Sequence, residues 1–534
     1  MSEEGAGVRI EALRDPACYP HPADSVVLLE THGNWILLVG EYAYKIKKPV
    51  DLGFMDFSTL EKRRFYCEEE IRLNRRLAPE IYHRVLGITG SPEAPRMGGE
   101  GEPFEYAVQM SRFDHEQRLD RCLLRGTLSA DSLDHLARDI AVFHDGAPRA
   151  EKDSGYGDSD KLHAMAADNF RDCRRLLPEA DQGLTSVVEA LSDARFQQLA
   201  DDFAARQRDG CVRECHGDLH LGNLVFHDGR IQAFDCIEFN PDFRWIDTAN
   251  EVAFLSMDLK YRGRPDLASR WLNAYLECAG DHHAVPLLGF FEAYRAMIRA
   301  KVGLIRASQH PQSREADDER QAALDYIRLA RRSLDAKQGR IIITMGLSAS
   351  GKSHLAHGLI EALPALRLRS DVERKRLFGL DPMDNSGAEV DGGIYTAEAT
   401  RQTYQRLADL AGVIARAGHT VIVDATFLQR STRDRFRRLA EDSHLGFTIL
   451  QADAPLSVLE SRIRQRQAEG SDPSEADLAV LETQRERVEG ISDEEAPRTL
   501  TVDTTQRIDF QTLAEEIRQA KSPGNRPLTD AGAG

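Results

Sequence analysis

The sequence predicts two unlike folds on one chain: an α+β part, then an α/β part built on a doubly wound parallel sheet. Three observations carry this. Residues 25–48 alternate short β-type runs with turns and lead into a charged helical pattern, the order of an antiparallel sheet backed by a helix. The apolar run 340–345 passes directly into Gly346-Leu347-Ser348-Ala349-Ser350-Gly351-Lys352-Ser353 and then into a helical pattern. Two further apolar strands, 420–423 and 447–450, are separated by helix-length segments, and such alternation implies a parallel sheet.

Taken in order, the first part opens with runs at 26–29, 35–39 and 42–46, with Gly33-Asn34 and Gly40-Glu41 at the turns. A helix is expected over 58–77, capped by Ser58 with Glu61 three residues on, and with Ile71, Leu73 and Leu77 on an apolar side. A strand follows at 105–110. Residues 123–209 read as mostly helical, 212–235 as short strands and tight loops, and 247–306 as helix again. Residues 308–313 break the pattern, a charged helix spans 314–336, and Gln338-Gly339 marks the boundary.

With 534 residues, a prior of roughly 150 per domain gives three or four units. A charged fraction of 29% beside 41% hydrophobic residues suits a water-soluble protein. The net charge of −18 argues against long nucleic acid as a partner, because such binders neutralise phosphates with basic surface. No apolar run approaches the ~18 residues of a membrane span. The acidic Met1-Ser2-Glu3-Glu4-Gly5 start carries no signal-type stretch, so a cytoplasmic setting is expected. Eight scattered cysteines read as reduced thiols.

The first candidate site is His216-Gly217-Asp218-Leu219-His220-Leu221-Gly222-Asn223, followed by Asp235 after the run 231–234. Phosphoryl transfer to a hydroxyl needs a carboxylate near that hydroxyl, metal ligands, a cation on the phosphates and a holder for that cation. Asp218 is the candidate base, five residues before Asn223, which with Asp235 supplies metal ligands. Lys45 is the phosphate cation, with Lys47 as a rival. Glu70 is the holder, with Glu68 and Glu69 as rivals. His216 is expected to brace the loop.

The second site fits the Walker A pattern G-x-x-x-x-G-K-[ST] from Gly346 to Ser353 in full. Its backbone N–H groups cradle phosphates at a helix N-terminus, Lys352 reaches the β and γ phosphates, and Ser353 ligates magnesium. Asp424, ending an apolar strand, suits a Walker B carboxylate. Asp371 and Arg374, three apart, suit an acceptor hydroxyl and a neighbouring phosphate. Arg462 and Arg466 share a helix face before an acidic segment, as lid arginines do. Arg430 and Arg433 are weaker candidates.

Residues 25–335 resemble the aminoglycoside phosphotransferase and choline-kinase branch of the kinase fold, which has H-G-D where protein kinases have H-R-D. The resemblance implies a bilobal protein-kinase-like fold, ATP and magnesium in the cleft, a small-molecule hydroxyl as acceptor, and Asp247 as a brace of the catalytic loop. The chain departs from the kinase pattern in having no G-x-G-x-x-G, only the turn Thr31-His32-Gly33-Asn34. Residues 338–520 resemble small P-loop kinases of the polynucleotide kinase, gluconate kinase and zeta-toxin group, which implies Asp371 as general base, Arg374 as a substrate contact, and Arg462 and Arg466 as lid residues. The whole is similar to bacterial fusions of these two kinds of domain. The implied boundaries are 1–110 and 111–335 for the two lobes, 336–521 for the P-loop domain and 522–534 for a disordered tail.

Overall fold

The computed structural model describes residues 8–309, 311–381, 384, 392–469 and 477–520, the side chains of 466–469 excepted. The expected tail at 522–534 lies outside the described residues. Two compact units interleave along the chain: residues 1–258 with 294–326, and residues 259–293 with 327–534.

The first unit opens with β1 (Val26–Glu30), β2 (Asn34–Val39) and β3 (Tyr42–Lys47), the expected meander. Its sheet has six antiparallel strands. The sequence reading missed β4 (Tyr82–Ser91) and β5 (Ala94–Met97), which pair beyond the expected strand β6 (Glu105–Ser111). Gly87 and Gly90 interrupt the alternation by which β4 would have been recognised.

The helix Leu60–Asn74 is shorter than expected, and Thr59, not Ser58, caps it by accepting from Lys62 N at 3.3 Å. Ser58 is taken up locally, its hydroxyl donating to Asp56 at 2.6 Å. Cys67, Glu70 and Leu73 form the buried side of this helix.

Two short pairs frame the loop 215–223. β7 (Val212–Glu214) pairs antiparallel with a later strand at 245–247. β8 (Leu224–His227) and β9 (Arg230–Ala233) form a hairpin turned by Asp228-Gly229, both at positive φ as a tight hairpin of this hand requires. The strand at 245–247 is β10 (Trp245–Asp247), and it feeds the buried helix Thr248–Tyr261.

The second unit is a five-stranded parallel sheet in the order β12-β13-β11-β14-β15, with β11 (Arg340–Met345), β12 (Leu366–Arg369), β13 (Thr420–Asp424), β14 (Gly446–Asp453) and β15 (Thr499–Asp503). Strands enclosed on both faces read as continuous apolar runs, as β11 and β13 do. Ile342, Ile422 and Leu450 pack with Leu355, Leu359, Leu513 and Ile517 of the flanking helices.

The helix Pro265–Ala279 belongs to this second unit, although its sequence lies far upstream. It finishes the open edge of β12. Asn273 behaves as a one-residue strand: its Nδ2 donates to Ala365 O at 2.8 Å, and its Oδ1 accepts from Arg367 N at 2.7 Å. Glu277 accepts from Arg367 and Arg369 at 3.0 and 3.3 Å. An unpaired strand edge invites intermolecular pairing, and this helix covers it.

Asn273→Leu leaves the Arg367 N–H without its acceptor, while Ala365 O keeps the Ser269 hydroxyl at 3.2 Å, so it is expected to destabilise the second unit by about 1–3 kcal/mol, the cost of one unsatisfied group. Urea unfolding followed by circular dichroism checks this.

Candidate functional sites

The first unit brings Lys45, Glu70, Asp218, Asn223 and Asp235 into one constellation. Alternation along β3 turns Lys45 inward, where it is 7% exposed. Its ammonium donates to Glu70 Oε1 at 2.8 Å and to Asp235 Oδ1 at 2.7 Å. Glu68 and Glu69, the sequence rivals of Glu70, pair outward with Arg64 and Arg72. Burial alone would weaken the charge on Lys45. The carboxylates of Asp235 and Glu70 outweigh it and hold the ammonium well above its ordinary range.

Asp235 lies at φ +63°, in the left-handed region that non-glycine residues rarely adopt. Such strain persists where the surroundings over-determine it. Here Asp235 N donates to Tyr82 OH at 3.0 Å, Cys236 N to Asn74 Oδ1 at 2.8 Å, and Phe234 N to Asn223 O at 3.0 Å.

The catalytic-type loop is held by the groups around it. His216 Nε2 donates to Phe234 O at 3.0 Å and its Nδ1 accepts from Asp218 N at 3.3 Å. Burial pushes this imidazole below its ordinary range, in keeping with a neutral bracing ring. Gly217 lies at φ +90°, and a Cβ there would stand 2.7 Å from Phe243 O. Asn223 Nδ2 donates to Asp218 Oδ2 at 2.8 Å, and His220 Nε2 lies 3.4 Å from the same oxygen. Burial opposes the charged form of Asp218. The nearby His220 and Arg299 outweigh it and keep the carboxyl below the usual carboxylate range.

Asp247, expected to brace this loop, is instead held bidentate by Arg206 at 2.7 Å. The brace is Glu251, which the sequence reading missed. Its carboxylate accepts from Gly217 N at 2.6 Å, His216 N at 3.1 Å and His144 Nε2 at 2.8 Å. Its helix also carries Asn250, Ser256 and Asp258, so the sequence did not single Glu251 out. Arg295 adds a bond from Nη1 to Gly217 O at 2.9 Å.

In the second unit, Gly346, Ala349 and Gly351 all take positive φ, which wraps the loop before the helix Lys352–Ala362. A Cβ on Gly346 would lie 2.4 Å from Ser350 Oγ. Lys352 Nζ donates to Leu347 O at 2.7 Å, and Ser353 is exposed on the first turn of the helix. Ser348 N donates to Gln484 Oε1 at 2.8 Å, so a side-chain oxygen occupies a loop N–H. Nothing in the sequence marked Gln484.

Asp424 ends β13, 5% exposed, and its Oδ2 has no partner among the described residues, nor does Ser350 Oγ. An orphaned buried carboxylate oxygen beside a phosphate-binding loop fits a divalent cation. In the first unit, the half-exposed Asp235 and the side-chain oxygen of Asn223 supply the same hard-oxygen chemistry.

Asp371 and Arg374 lie on the helix Ser370–Leu377, immediately after β12. Arg374 Nη1 donates to Ile394 O at 2.8 Å and Thr400 Oγ1 at 3.2 Å, with its guanidinium 5.0 Å from the Tyr395 ring. Both Asp371 and Arg374 act electrostatically on Tyr404, whose hydroxyl lies 3.3 Å from Thr426 Oγ1. Arg462 bonds Ala349 O at 3.2 Å and Thr504 O at 2.8 Å, buttressing the outside of the loop. The side chain of Arg466 lies outside the described residues. Arg433 is structural: fully buried, it pairs with Glu495 at 2.7 Å and bonds four loop carbonyls, while Arg430 pairs with Glu494.

Both halves are kinase-type phosphotransferase domains. Residues 61–288 match the model of the phosphotransferase enzyme family and residues 341–491 that of the AAA domain. The chain belongs to the family of Uncharacterized protein Rv2004c of Mycobacterium tuberculosis, to which it is 31% identical over 478 residues, 88% of this chain and 92% of that one. An adenylyl-sulfate kinase of Paraburkholderia xenovorans is 31% identical over 167 residues, 28% of this chain and 88% of that one. Among solved structures, an amicoumacin kinase in complex with AMP-PNP, Ca2+ and Ami aligns over 60% of this chain and 92% of its own, at 13% identity and a TM-score of 0.38.

Glu251 is buried, which by itself raises its pKa. His144 and the loop N–H of Gly217 outweigh that and bring it down from 4.5 to about 2. A depressed carboxylate stabilises the fold above its unfolded pKa, and that contribution is lost as pH falls through the folded value. The stability gap between wild type and Glu251→Gln is therefore expected to be full at pH 6 and to close between about pH 4.5 and 2, read by urea midpoints at each pH.

Proposed function

We propose that the protein is a magnesium-dependent bifunctional phosphotransferase, each half transferring the γ-phosphoryl group of ATP to a hydroxyl of a small-molecule acceptor. The single observation that carries this is the joining, in the first unit, of Lys45, Glu70 and Asp235 by bonds of 2.7–2.8 Å, with Asn223 on Asp218 at 2.8 Å. A purely nucleotide-binding regulator has no need of Asp218 or of the Glu251 brace beneath it.

In the first half, Asp218 accepts the proton of the acceptor hydroxyl as the hydroxyl oxygen bonds to the γ-phosphorus and the bond from that phosphorus to the β,γ-bridging oxygen breaks, releasing ADP. Asn223 holds that carboxylate in place, and Lys45 binds the phosphates while Glu70 orients it. Asn223 and Asp235 would hold magnesium, which when bound neutralises phosphate charge. In the second half, Asp371 takes the base role and Arg374 the acceptor contact. The loop N–H groups from Gly346 to Ser353 and the Lys352 ammonium bind phosphates. Ser353 and Asp424 would hold the metal, and Arg462 holds the loop in shape through Ala349 O and Thr504 O.

The likeness to adenylyl-sulfate kinases supports an acceptor for the second half that itself carries an anionic group, in keeping with the inward guanidinium of Arg374. Among the described residues, no helix is long and apolar enough to cross a membrane.

Asp218→Ala and Lys352→Ala are each expected to remove one separable part of ATP turnover, by about 10²–10⁴-fold for the half affected. Radiolabelled ATP and a metabolite extract, with products separated by chromatography, read both. Unchanged turnover and product pattern in Asp218→Ala would sink the catalytic reading of the first half.

A further inference from the structure

Glu70 has more partners than the holder of one lysine needs. Its Oε1 accepts from Lys45 Nζ, and its Oε2 accepts from Lys47 Nζ, each at 2.8 Å. The two lysines stand two apart on β3 and share a face. Lys47 is completely enclosed, its ammonium 4.8 Å from the Phe57 ring, and it also donates to the carboxylate of Glu238. Glu238 is itself 4% exposed and lies three residues after Asp235. The next lysine, Lys48, shows the ordinary surface alternative, pairing with the exposed Glu30.

We propose that Lys47 and Glu238 are positioning residues for phosphoryl transfer in the first half: Lys47 keeps Glu70 paired when the Lys45 ammonium turns to nucleotide phosphates, and Glu238 fixes the segment that presents Asp235. This rests on the reading of the first half given above.

The geometry supports each clause. Lys45 has two carboxylates at 2.7–2.8 Å and must loosen its hold on them to engage a phosphate. Without Lys47, that movement would leave a fully buried carboxylate unpaired, a strongly unfavourable state. Lys47 is walled in by Glu70, Glu238 and Phe57, so it cannot serve as the phosphate ligand itself. The charge count also favours a metal at Asp235. Lys45 and Lys47 face Glu70, Glu238 and Asp235, which leaves one negative charge over. Of the three carboxylates, Asp235 is the exposed one, at 50% against 0% and 4%. Lys47 and Glu238 thus tie the Asp235 segment to β3 by charge, at the point where it must stay put in a strained conformation.

The test is AMP-PNP binding by calorimetry as Mg2+ is titrated, in full-length protein carrying Lys352→Ala to silence the P-loop. Glu238→Gln and Lys47→Met are each expected to raise the Mg2+ midpoint about tenfold, within the range found when partners of metal ligands are removed. The double variant is expected to do no worse than either single one, and Lys48→Met to keep the wild-type midpoint. A lowered melting temperature with an unmoved Mg2+ midpoint in both single variants overturns the proposal, because that is what a merely structural pair gives. If Glu238→Gln does not fold, Glu238→Asp decides: it keeps the charge but shortens the arm, and an unchanged midpoint again overturns the proposal. Loss of all AMP-PNP binding in Lys352→Ala alone is a different result, and it refutes the nucleotide reading of the first half.

Discussion

A charge taken out of water must be paired, and the first site is arranged around that constraint. Lys45, Lys47, Glu70 and Glu238 are all nearly or fully enclosed, and none is tolerable there alone. Pairing them fixes three chain segments against one another: β3, the helix Leu60–Asn74 and the stretch after β9. Removing one partner of such a pair typically costs about 3–5 kcal/mol, more than any single surface contact contributes. The strained backbone of Asp235 is maintained by this framework together with the Tyr82 and Asn74 bonds, and the catalytic-type loop is maintained by Glu251 on its other side.

The second site meets the opposite problem. A phosphate-binding loop presents backbone N–H groups and positive φ angles, so its structure is written in glycine and in the helix that follows. The chain itself supplies partners for two of these groups: Gln484 Oε1 accepts from Ser348 N, and Leu347 O accepts from the Lys352 ammonium. Asp424 Oδ2 and Ser350 Oγ have no such partner among the described residues.

Much of this was legible in the sequence. Motif residues are legible because the chemistry dictates their spacing, as with Asp218, Asn223 and Gly346 to Ser353. Strands β11 and β13 are legible because enclosed parallel strands are continuously apolar. Supporting residues were not. Glu251 has no fixed offset from Asp218, and it was passed over in favour of Asp247, which turned out to anchor Arg206. Ser58 and Thr59 are equally good caps on paper, and only the competing bond to Asp56 separates them. β4 was hidden by its glycines. The helix Pro265–Ala279 could not have been assigned to the P-loop sheet from sequence, because an Asn side chain mimicking a strand leaves no periodic signal.

The missing glycine-rich loop acquires a physical meaning from this comparison of the two sites. On the proposed reading, the second half meets phosphates mainly with main-chain N–H groups and one lysine. In the first half the turn between β1 and β2 is short, and Gly33 is pressed against Met55 rather than left open: a Cβ there would lie 2.5 Å from the methionine methyl. On the proposed reading, phosphate binding in the first half rests on the charge of Lys45, whose orientation then matters more than in a site with a second set of donors. A doubled lysine on β3 sharing one buried glutamate is the arrangement that keeps such a cation both available and aimed.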